Sequence, residues 1–413
     1  MHNFAVLVVV AAIGLPVPAI ADNPLDTPVA DRKRAEYEPS GLRAGAFVVY
    51  PSVAVRYVHD DNLFADAVGK IDDSIIEYKP AIALESDWTS HWMRVGVDAT
   101  FGRYADQSAE DYDDLAILAE GRLDITRSSR LKLTARRDSL HQHRYSPDDA
   151  NGLTPTEFNQ DSLAASYERS AGRLPVQLTG KLLSLDYQDT PVLSGQINND
   201  DRDREEILGT ARIGLARGGD SVWFVQGQID SRNYDEQRDD EGLTRNSQGY
   251  AIALGAALDF VGPFALEGFV GNIRRDYDDP QFDTIDSIWF GGKLIWHLTA
   301  ITSLTALAES SIEETTVAGA SGIYLRKFGV AVDHELRRNL ILHVDTDVWQ
   351  EDFKDSNRED DLLRASFGAN YLINRHLRLM LRYDWRKRSS AQTPARPDDY
   401  EINEVSLQVT AQY

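Results

Sequence analysis

The chain has 413 residues, no cysteine, 42% hydrophobic residues and a formal net charge of −23. The absence of cysteine excludes disulfides, thiolate metal sites and a thiol nucleophile. The acidic balance leaves no basic stripe to neutralise phosphates, so we expect no nucleic-acid partner. It is compatible with a membrane protein whose charges lie in its loops and its interior.

Residues 1–21 have the pattern of a secretory signal peptide. Residues 4–13 form a run of about ten apolar residues, which is too short to span a bilayer as a helix. Residues 19–21, Ala-Ile-Ala, then give the small-x-small cleavage pattern, although no Lys or Arg precedes the apolar run. No later window approaches the roughly 18 apolar residues of a membrane-spanning helix. The sequence therefore predicts an exported protein whose mature chain starts at Asp22.

Residues 22–45 are rich in Pro, Asp, Arg and Glu, show no periodicity, and are interpreted as a periplasmic N-terminal lead-in. In residues 46–413 one unit repeats about nine times: two alternating segments joined by a tight turn, followed by an acidic loop. The tight turns are predicted at 87–90, 127–130, 171–173, 217–220, 261–263, 298–300, 337–339 and 374–376. The longer loops are predicted at 59–72, 105–112, 144–158, 188–201, 235–245, 278–283, 316–321, 354–358 and 391–399.

These connections predict about 18 strands, within a range of about 16–18. An even number is needed when both ends of a single-chain barrel lie on the periplasmic side. The first strand contains Pro51, which has no backbone N–H to donate. Either that strand begins at Ser52, or its partner leaves one carbonyl to water near the rim.

The alternating segments have one apolar and one polar face. In 377–386, Leu379 and Leu381 share one face, while Arg378 and Arg382 share the other. A soluble sandwich or propeller also alternates, but a propeller repeat contains four strands rather than two. Two segments of about twelve residues per repeat suit a membrane hairpin, because a tilted spanning strand needs about 9–11 residues. We predict an all-β fold, a transmembrane antiparallel up-and-down β-barrel closed by pairing of its last and first strands.

The end of the first strand carries a short motif. Tyr57 is followed by Asp61-Asn62-Leu63-Phe64, which resembles the Tyr…Asp-Asn-aliphatic-aromatic signature of the putative β-barrel porin 2 family. The resemblance extends to the layout of the whole mature chain, although the usual terminal Phe of outer-membrane barrels is Tyr413 here. It implies an outer-membrane barrel associated with exopolysaccharide biosynthesis and export. The resemblance implies this role, and neither spacing nor composition shows it.

The polar faces of the strands carry charges of both signs, which predicts a hydrated interior that steers a polar solute. The same charges also fit a simpler interpretation, in which charge ladders brace the wall of any wide barrel. The predicted interior residues are Arg94, Asp98, Glu120, Arg122, Asp124, Lys132, Arg136, Gln226, Gln228, Asp230, Glu267, Arg378, Arg382 and Arg386.

Three features invite other chemistry. The acidic loops invite a calcium interpretation, but they lack the EF-hand pattern, and solvated loop charge or weak divalent bridging to lipopolysaccharide explains them. His141 and His143 share a strand face but have no identifiable third metal ligand. Ser139 with His141 is the pair that a barrel hydrolase would need, without a motif that specifies it. We expect no enzyme activity, no metal and no cofactor.

The last strand, residues 405–413, alternates an apolar face with a polar uncharged face and ends on Tyr413. We predict that Tyr413 is the terminal aromatic that barrel-assembly machinery recognises in the barrels this chain resembles. The expected location is the Gram-negative outer membrane, with both chain ends periplasmic.

The first functional hypothesis is a non-enzymatic channel that takes part in export of an extracellular polysaccharide. Its expected partners are outer-membrane lipid and lipopolysaccharide, the assembly machinery and periplasmic polysaccharide-export proteins. The alternative is a general or substrate-selective diffusion porin for small polar solutes. The two remaining hypotheses are a barrel hydrolase and a structural barrel that holds a surface partner.

Overall fold

The computed structural model describes residues 27–170, 172–216, 220–259, 263–391 and 399–413. The predicted signal peptide and residues 22–26 of the predicted lead-in lie outside the described residues. So do residues 171, 217–219, 260–262 and 392–398, which fall in or beside four predicted connections. Within the described ranges, no helix is long and apolar enough to cross a membrane. The helices of these ranges are three short 3₁₀ turns, Val29–Asp31, Ser108–Glu110 and Asp200–Arg202.

Eighteen long antiparallel strands form the wall of the molecule. They are β1 (Phe47–Asp60), β2 (Asp73–Ser86), β3 (Trp92–Tyr104), β4 (Tyr112–Thr126), β5 (Ser129–His141), β6 (Glu157–Arg169), β7 (Val176–Tyr187), β8 (Arg204–Ala216), β9 (Asp220–Tyr234), β10 (Ser247–Asp259), β11 (Phe264–Tyr277), β12 (Ile285–Thr299), β13 (Thr302–Glu313), β14 (Ile323–Arg337), β15 (Leu340–Phe353), β16 (Glu359–Leu372), β17 (Leu377–Ala391) and β18 (Tyr400–Gln412). Short strands also occur at Leu42–Ala44, Thr190–Val192 and Gly195–Ile197.

The sheet closes on itself because β18 pairs with β1. Ser52 lies opposite Gln412, and Asp60 lies opposite Glu404. Among the described strands, closure leaves no long unpaired edge, which is the condition for a sheet surrounded by lipid. The predictions of an all-β barrel and of about 18 strands are confirmed.

The two ends of the barrel differ. One carries the short turns, the start of β1 and the end of β18, and is called the turn end; the other carries the longer connections and is called the loop end. The strand boundaries follow the sequence prediction closely: the predicted turn 87–90 joins β2 to β3, and the predicted loop 105–112 joins β3 to β4. Turn residues and hydrophobic alternation therefore determine the strand limits.

The first barrel strand starts at Phe47 and not at Ser52. Its first residues pair with the short strand Leu42–Ala44 through a turn in which Gly45 has a φ of +65°, a conformation that glycine adopts readily. Pro51 lies where the pairing of β1 with β18 ends, and its carbonyl accepts a hydrogen bond of 3.1 Å from the Tyr413 N–H. The proline is thus placed at an interruption of the ladder, where its missing donor costs little.

Large apolar side chains are exposed on the outer surface of the barrel in every region of the wall. Examples, which alternate with inward polar residues, are Val55, Ile82, Val97, Ile117, Val225, Leu254, Val330, Val344 and Leu407. A soluble domain would bury such a belt, whereas a membrane barrel turns it toward lipid.

The interior also has apolar contents, near the loop end. Ala251, Ala253, Ile273 and Trp289 form a buried cluster against β10–β12, with Phe269 packed beside it. A second cluster, Ala320, Ile323 and Phe353 with Val317, lies under the loop between β13 and β14. These contacts hold that loop, residues 314–322, against the barrel.

Candidate channel interior

The residues predicted to line the interior all lie on the strand face opposite the exposed apolar side chains. In β3, Val97 and Phe101 are exposed outward, so Arg94 and Asp98 point inward. The same alternation places the others, Glu120, Arg122, Asp124, Lys132, Arg136, Gln226, Gln228, Asp230, Glu267, Arg378, Arg382 and Arg386. Their part in solute passage stays a prediction.

The wall formed by β3–β5 carries loosely paired charges beside one tight pair, Arg136 Nε with Asp138 Oδ2 at 2.6 Å. Lys132 Nζ lies 3.5 Å from Glu120 Oε1, and Arg94 Nη1 lies 3.3 Å from Glu85 Oε1. The Lys132 side chain is 46% exposed, so its charge faces water in the interior. Ion pairs of this kind contribute little to stability and leave charge available to a passing solute.

A second part of the wall, β8–β11, holds its charges in tight networks. Arg212 Nη1 lies 2.6 Å from Glu267 Oε1, and its Nη2 donates to Gln226 Oε1 at 2.7 Å. Arg275 pairs with Asp230 and donates to Ser247. The predicted interior residues Gln226, Glu267 and Asp230 are therefore held by arginines of the same wall.

A third group lies on β16–β18. Arg382 Nε lies 2.6 Å from Asp384 Oδ2, and Arg364 bridges to the same carboxylate at 3.0 Å. Arg386 lies 3.8 Å from Glu404, which also pairs with Arg56 of β1. This network extends across the closure between β18 and β1 and braces it from inside.

The connection between β5 and β6, residues 142–156, folds inward and is called the crossing loop. Arg144 anchors its start to the Glu110 carboxylate at 2.6 Å, and Arg388 of β17 donates to the Tyr145 carbonyl at 2.9 Å. At its far side, Asp148 Oδ1 accepts from Thr315 Oγ1 at 2.7 Å and from Thr316 N at 2.9 Å. Because the β13–β14 loop lies nearly opposite on the ring of strands, the crossing loop spans the interior at the loop end.

The sequence marked residues 144–158 and 188–201 as loops without deciding whether they narrow the interior. The crossing loop does so, and the connection at 188–203 packs beside it, since Arg202 Nη1 donates to Gln142 Oε1 at 3.1 Å. Arg202 also stacks over the Tyr187 ring, 3.9 Å from its centroid. No motif in the sequence indicated these contacts, because their partners are distant along the chain.

Glu314, the first residue after β13, is the hub of a buried cluster beside the crossing loop. It pairs with Arg232 and accepts from the Tyr234 hydroxyl at 2.6 Å. Burial acts to raise the pKa of this carboxyl, but Arg232, Arg275 and Arg204 outweigh it and hold the pKa at about 2. Glu314 therefore stays ionised and fixes the β13–β14 loop to β9.

A row of stacked rings leads from the wall into the crossing loop. Tyr112 stacks on His141 with 3.9 Å between centroids, and His143 stacks on Tyr145 at 4.9 Å. The guanidinium of Arg386 lies 4.8 Å from the Tyr145 ring centroid. Burial lowers the pKa of His143 well below its usual range, and His141 and Arg386 lower it further, so this ring is neutral at pH 7.

The motif at the end of β1 ties the first hairpin to the last strand. Asp61 accepts from the backbone N–H of Asn403 at 2.6 Å, and fully buried Asn62 donates to the carbonyls of Asp66 at 2.9 Å and Glu401 at 3.1 Å. Leu63 is buried beside this turn. We refer to these contacts as the seam lock. The other motif residues take outer and inner positions: the Tyr57 hydroxyl bonds to Ser74, and Phe64 lies under Arg144.

The family model described as "Putative beta-barrel porin 2" matches residues 34–413. The chain belongs to this family. The match covers the short strand Leu42–Ala44, every strand of the closed barrel and the terminal residue, as the resemblance in the sequence predicted. No curated protein matches the chain in a sequence comparison.

Several solved porins are similar in structure to the chain at low sequence identity. The outer membrane protein OpdK of Pseudomonas aeruginosa is 13% identical, with a TM-score of 0.46, 88% of this chain and 99% of that chain covered. OccK2 (OpdF) of Pseudomonas aeruginosa is 12% identical, with a TM-score of 0.48 and 88% and 98% covered. A BenF-like porin from Pseudomonas fluorescens Pf-5 is 10% identical, with a TM-score of 0.46 and 88% and 99% covered. Membership of this porin family places the protein in the Gram-negative outer membrane.

The alternative chemistries gain no geometric support in this porin. His141 Nδ1 lies 2.9 Å from Asp114 Oδ1, and the His141 ring stacks on Tyr112. These contacts are with Asp114 and Tyr112 and not with Ser139, the nucleophile that a hydrolase would need. In the described part of the chain, no three His, Cys, Asp or Glu side chains are grouped to hold a metal ion. Both His141 and His143 are used in the ring stack.

The terminal residue lies at the turn end of the porin. Tyr413 is 47% exposed and stacks on His376 with 5.3 Å between ring centroids. On β18, Val405, Leu407 and Val409 are exposed outward while Ser406 is buried, as the alternation predicted. Recognition of Tyr413 by assembly machinery stays a prediction.

Proposed function

We propose that this porin is a non-enzymatic, solute-selective diffusion channel for small polar molecules. The observation that carries the proposal is the crossing loop, which is tied to the far side of the barrel by Asp148. A barrel of eighteen strands is wide enough for an aqueous channel, and an inward loop narrows it to small solutes. The exposed charge of Lys132 and Arg94 supplies a polar wall below this level.

Export of a polysaccharide, which the family resemblance implied, gains no support from the comparisons. A long polymer needs a continuous wide path, and the crossing loop stands in that path. We therefore favour the diffusion channel. The expected periplasmic export partners remain untested.

The channel is tested by single-channel recording of the purified porin in planar bilayers. Asp148→Ala removes the tether to Thr315 and Thr316, so the crossing loop is released and conductance is expected to rise above the wild-type level. Asp278→Ala changes an exposed loop acid and serves as the matched control. Folded wild-type barrels that show no conductance above the lipid baseline would exclude the channel.

We also propose that the turn end faces the periplasm, because short turns and both chain ends of such barrels lie on that side. The cysteine-free chain makes this simple to test. Leu193→Cys, at a 94% exposed position in the 188–203 connection, should react with an impermeant thiol reagent on intact cells. A cysteine in the β14–β15 turn, at Arg338, should react only after the outer membrane is opened.

A further inference from the structure

Residues 28–40 enter the turn end of the barrel and are called the N-terminal strap. The backbone N–H of Val29 donates to Ser303 Oγ at 2.7 Å, and both residues are fully buried. Arg32 reaches β12, where its Nη2 lies 3.0 Å from His297 Nδ1. At the other end of the strap, Arg375 in the β16–β17 turn donates to Ser40 Oγ at 3.1 Å.

Arg34 is the main anchor of the strap. Only 4% of its side chain is exposed, and its Nη2 lies 2.8 Å from Glu335 Oε2 on the inner face of β14. The same guanidinium donates to the Val29 and Arg32 carbonyls at 3.0 and 2.9 Å, so it also fixes the shape of the strap. Removing one partner of a buried pair leaves the other charged and unpaired, which strongly disfavours the docked arrangement.

The path of the strap places it within the mouth. The chain leaves β1 through the hairpin at Leu42–Ala44 and reaches the inner faces of β12–β14, several strands away around the ring. Ser303, His297 and Glu335 are inward residues of those strands, so the strap occupies space inside the turn end.

The N-terminal strap can be released from the barrel without breaking the hydrogen bonds between barrel strands. Apart from the Val29 N–H, which donates to Ser303 Oγ, the backbone hydrogen bonds of the strap are internal, such as Tyr37 N–H to the Arg34 carbonyl at 2.7 Å. Each of its bonds to β12–β14 involves a side chain of the strap or of the barrel, and in the described residues no backbone ladder joins it to those strands. The strap is therefore separable from the sheet that forms the barrel.

We propose that the N-terminal strap is a gate at the turn end, distinct from the constriction made by the crossing loop. Docked through Arg34 and Glu335, it narrows the mouth; released, it opens a wider conducting state. The gate rests on the proposed channel function, since it regulates passage through the same interior.

The test uses the full-length mature porin in planar bilayers together with thiol labelling. Arg34→Ala removes the anchor, and Arg43→Ala is the matched control, because it breaks an ion pair of 2.7 Å with Asp87 whose partners are 70% and 49% exposed. Val29→Cys reports docking independently of current: its thiol should be protected from a labelling reagent in the wild-type background and labelled in Arg34→Ala. SDS gel electrophoresis of unheated samples checks that each variant is a folded barrel.

We expect Arg34→Ala to gain a conductance level above that of wild type and Arg43→Ala. Arg34→Lys, which keeps a positive charge and N–H donors for Glu335, should restore the lower level in part. A disulfide between cysteines introduced at Val29 and Ser303, added to Arg34→Ala, should also restore it until a reductant is supplied.

Three outcomes count against these proposals, and they are separable. If the Val29→Cys thiol is labelled in Arg34→Ala but conductance matches wild type, the strap undocks without gating and the gate is wrong. If that thiol stays protected and conductance is unchanged, Arg34 does not hold the strap and the gate is equally wrong. If no variant conducts even when the thiol is labelled, the channel function itself fails.

Discussion

The carboxylate of Glu314 offers a quantitative test of how the loop end is held. Glu314→Gln keeps the size of the side chain but removes the charge that Arg232 and the Tyr234 hydroxyl contact. Only 5% of the Glu314 side chain is exposed, so water cannot replace the lost charge. The variant therefore leaves Arg232 buried beside a neutral amide, with Glu206 at 3.7 Å as its remaining acidic contact.

The magnitude follows from the acidity of the group. Burial raises the pKa of Glu314, yet Arg232, Arg275 and Arg204 lower it from 4.5 to about 2. At roughly 1.36 kcal/mol for each tenfold change in acidity, the folded state stabilises the ionised form by about 3 kcal/mol. Because the pKa is lowered on folding, this stabilisation is fully present above pH 4.5 and is lost as the pH falls toward 2.

The assay is urea unfolding of the refolded porin. The folded fraction is measured by SDS gel electrophoresis of unheated samples, in which folded and unfolded barrels migrate differently. Glu314→Gln should lower the free energy of unfolding by about 3 kcal/mol at pH 7, and the difference from wild type should shrink as the pH is lowered below 4.5. Glu236→Gln, an exposed acid in the neighbouring β9–β10 loop, should have no effect. Equal stability of Glu314→Gln and Glu236→Gln would show that the Glu314 charge does not stabilise the loop end.

Three further changes test other parts of the porin. Asn62→Ala should destabilise the barrel by about 1–3 kcal/mol in the same titration, because fully buried Asn62 loses its hydrogen bonds to the carbonyls of Asp66 and Glu401; wild-type stability would mean that the seam lock is dispensable. Tyr413→Ala should reduce the amount of folded barrel in the outer membrane before conduction changes, and normal surface levels would contradict the assembly role. Lys132→Glu should shift the reversal potential in a salt gradient toward cation preference, and an unchanged potential would remove the β3–β5 wall from the solute path.

The strands were the predictable part of this fold. Alternation such as that of Leu379 and Leu381 against Arg382 has a period of two, and each strand end is marked by a local turn or an acidic loop. Such signals need only neighbouring residues, so an even strand number near 18 followed from them. Pro51 shows the limit, since the local rule left open whether β1 begins at Ser52, whereas pairing with Leu42–Ala44 and with β2 lets the strand begin at Phe47.

The contents of the interior were far less predictable. Asp148 and Thr315 are 167 residues apart in the chain, and Arg34 and Glu335 are 301 apart. No periodicity links such partners, and their residue types are those of ordinary solvated loops. The inward direction of Lys132 followed from alternation, but whether a charge is free or held in a pair depends on neighbours in space.

The seam lock has a consequence for the order in which the barrel forms. Asp61 and Asn62 emerge early, yet their partners Asn403 and Glu401 lie 342 and 339 residues later. Bringing residues so distant in the chain together costs loop-closure entropy. The contacts between β1 and β18 offset this cost only after both strands have formed. The seam lock therefore forms late in folding, and each of its hydrogen bonds acts mainly to slow the unfolding of a closed barrel. A chain that lacks it would spend longer with the edges of β1 and β18 unpaired, and such edges promote aggregation.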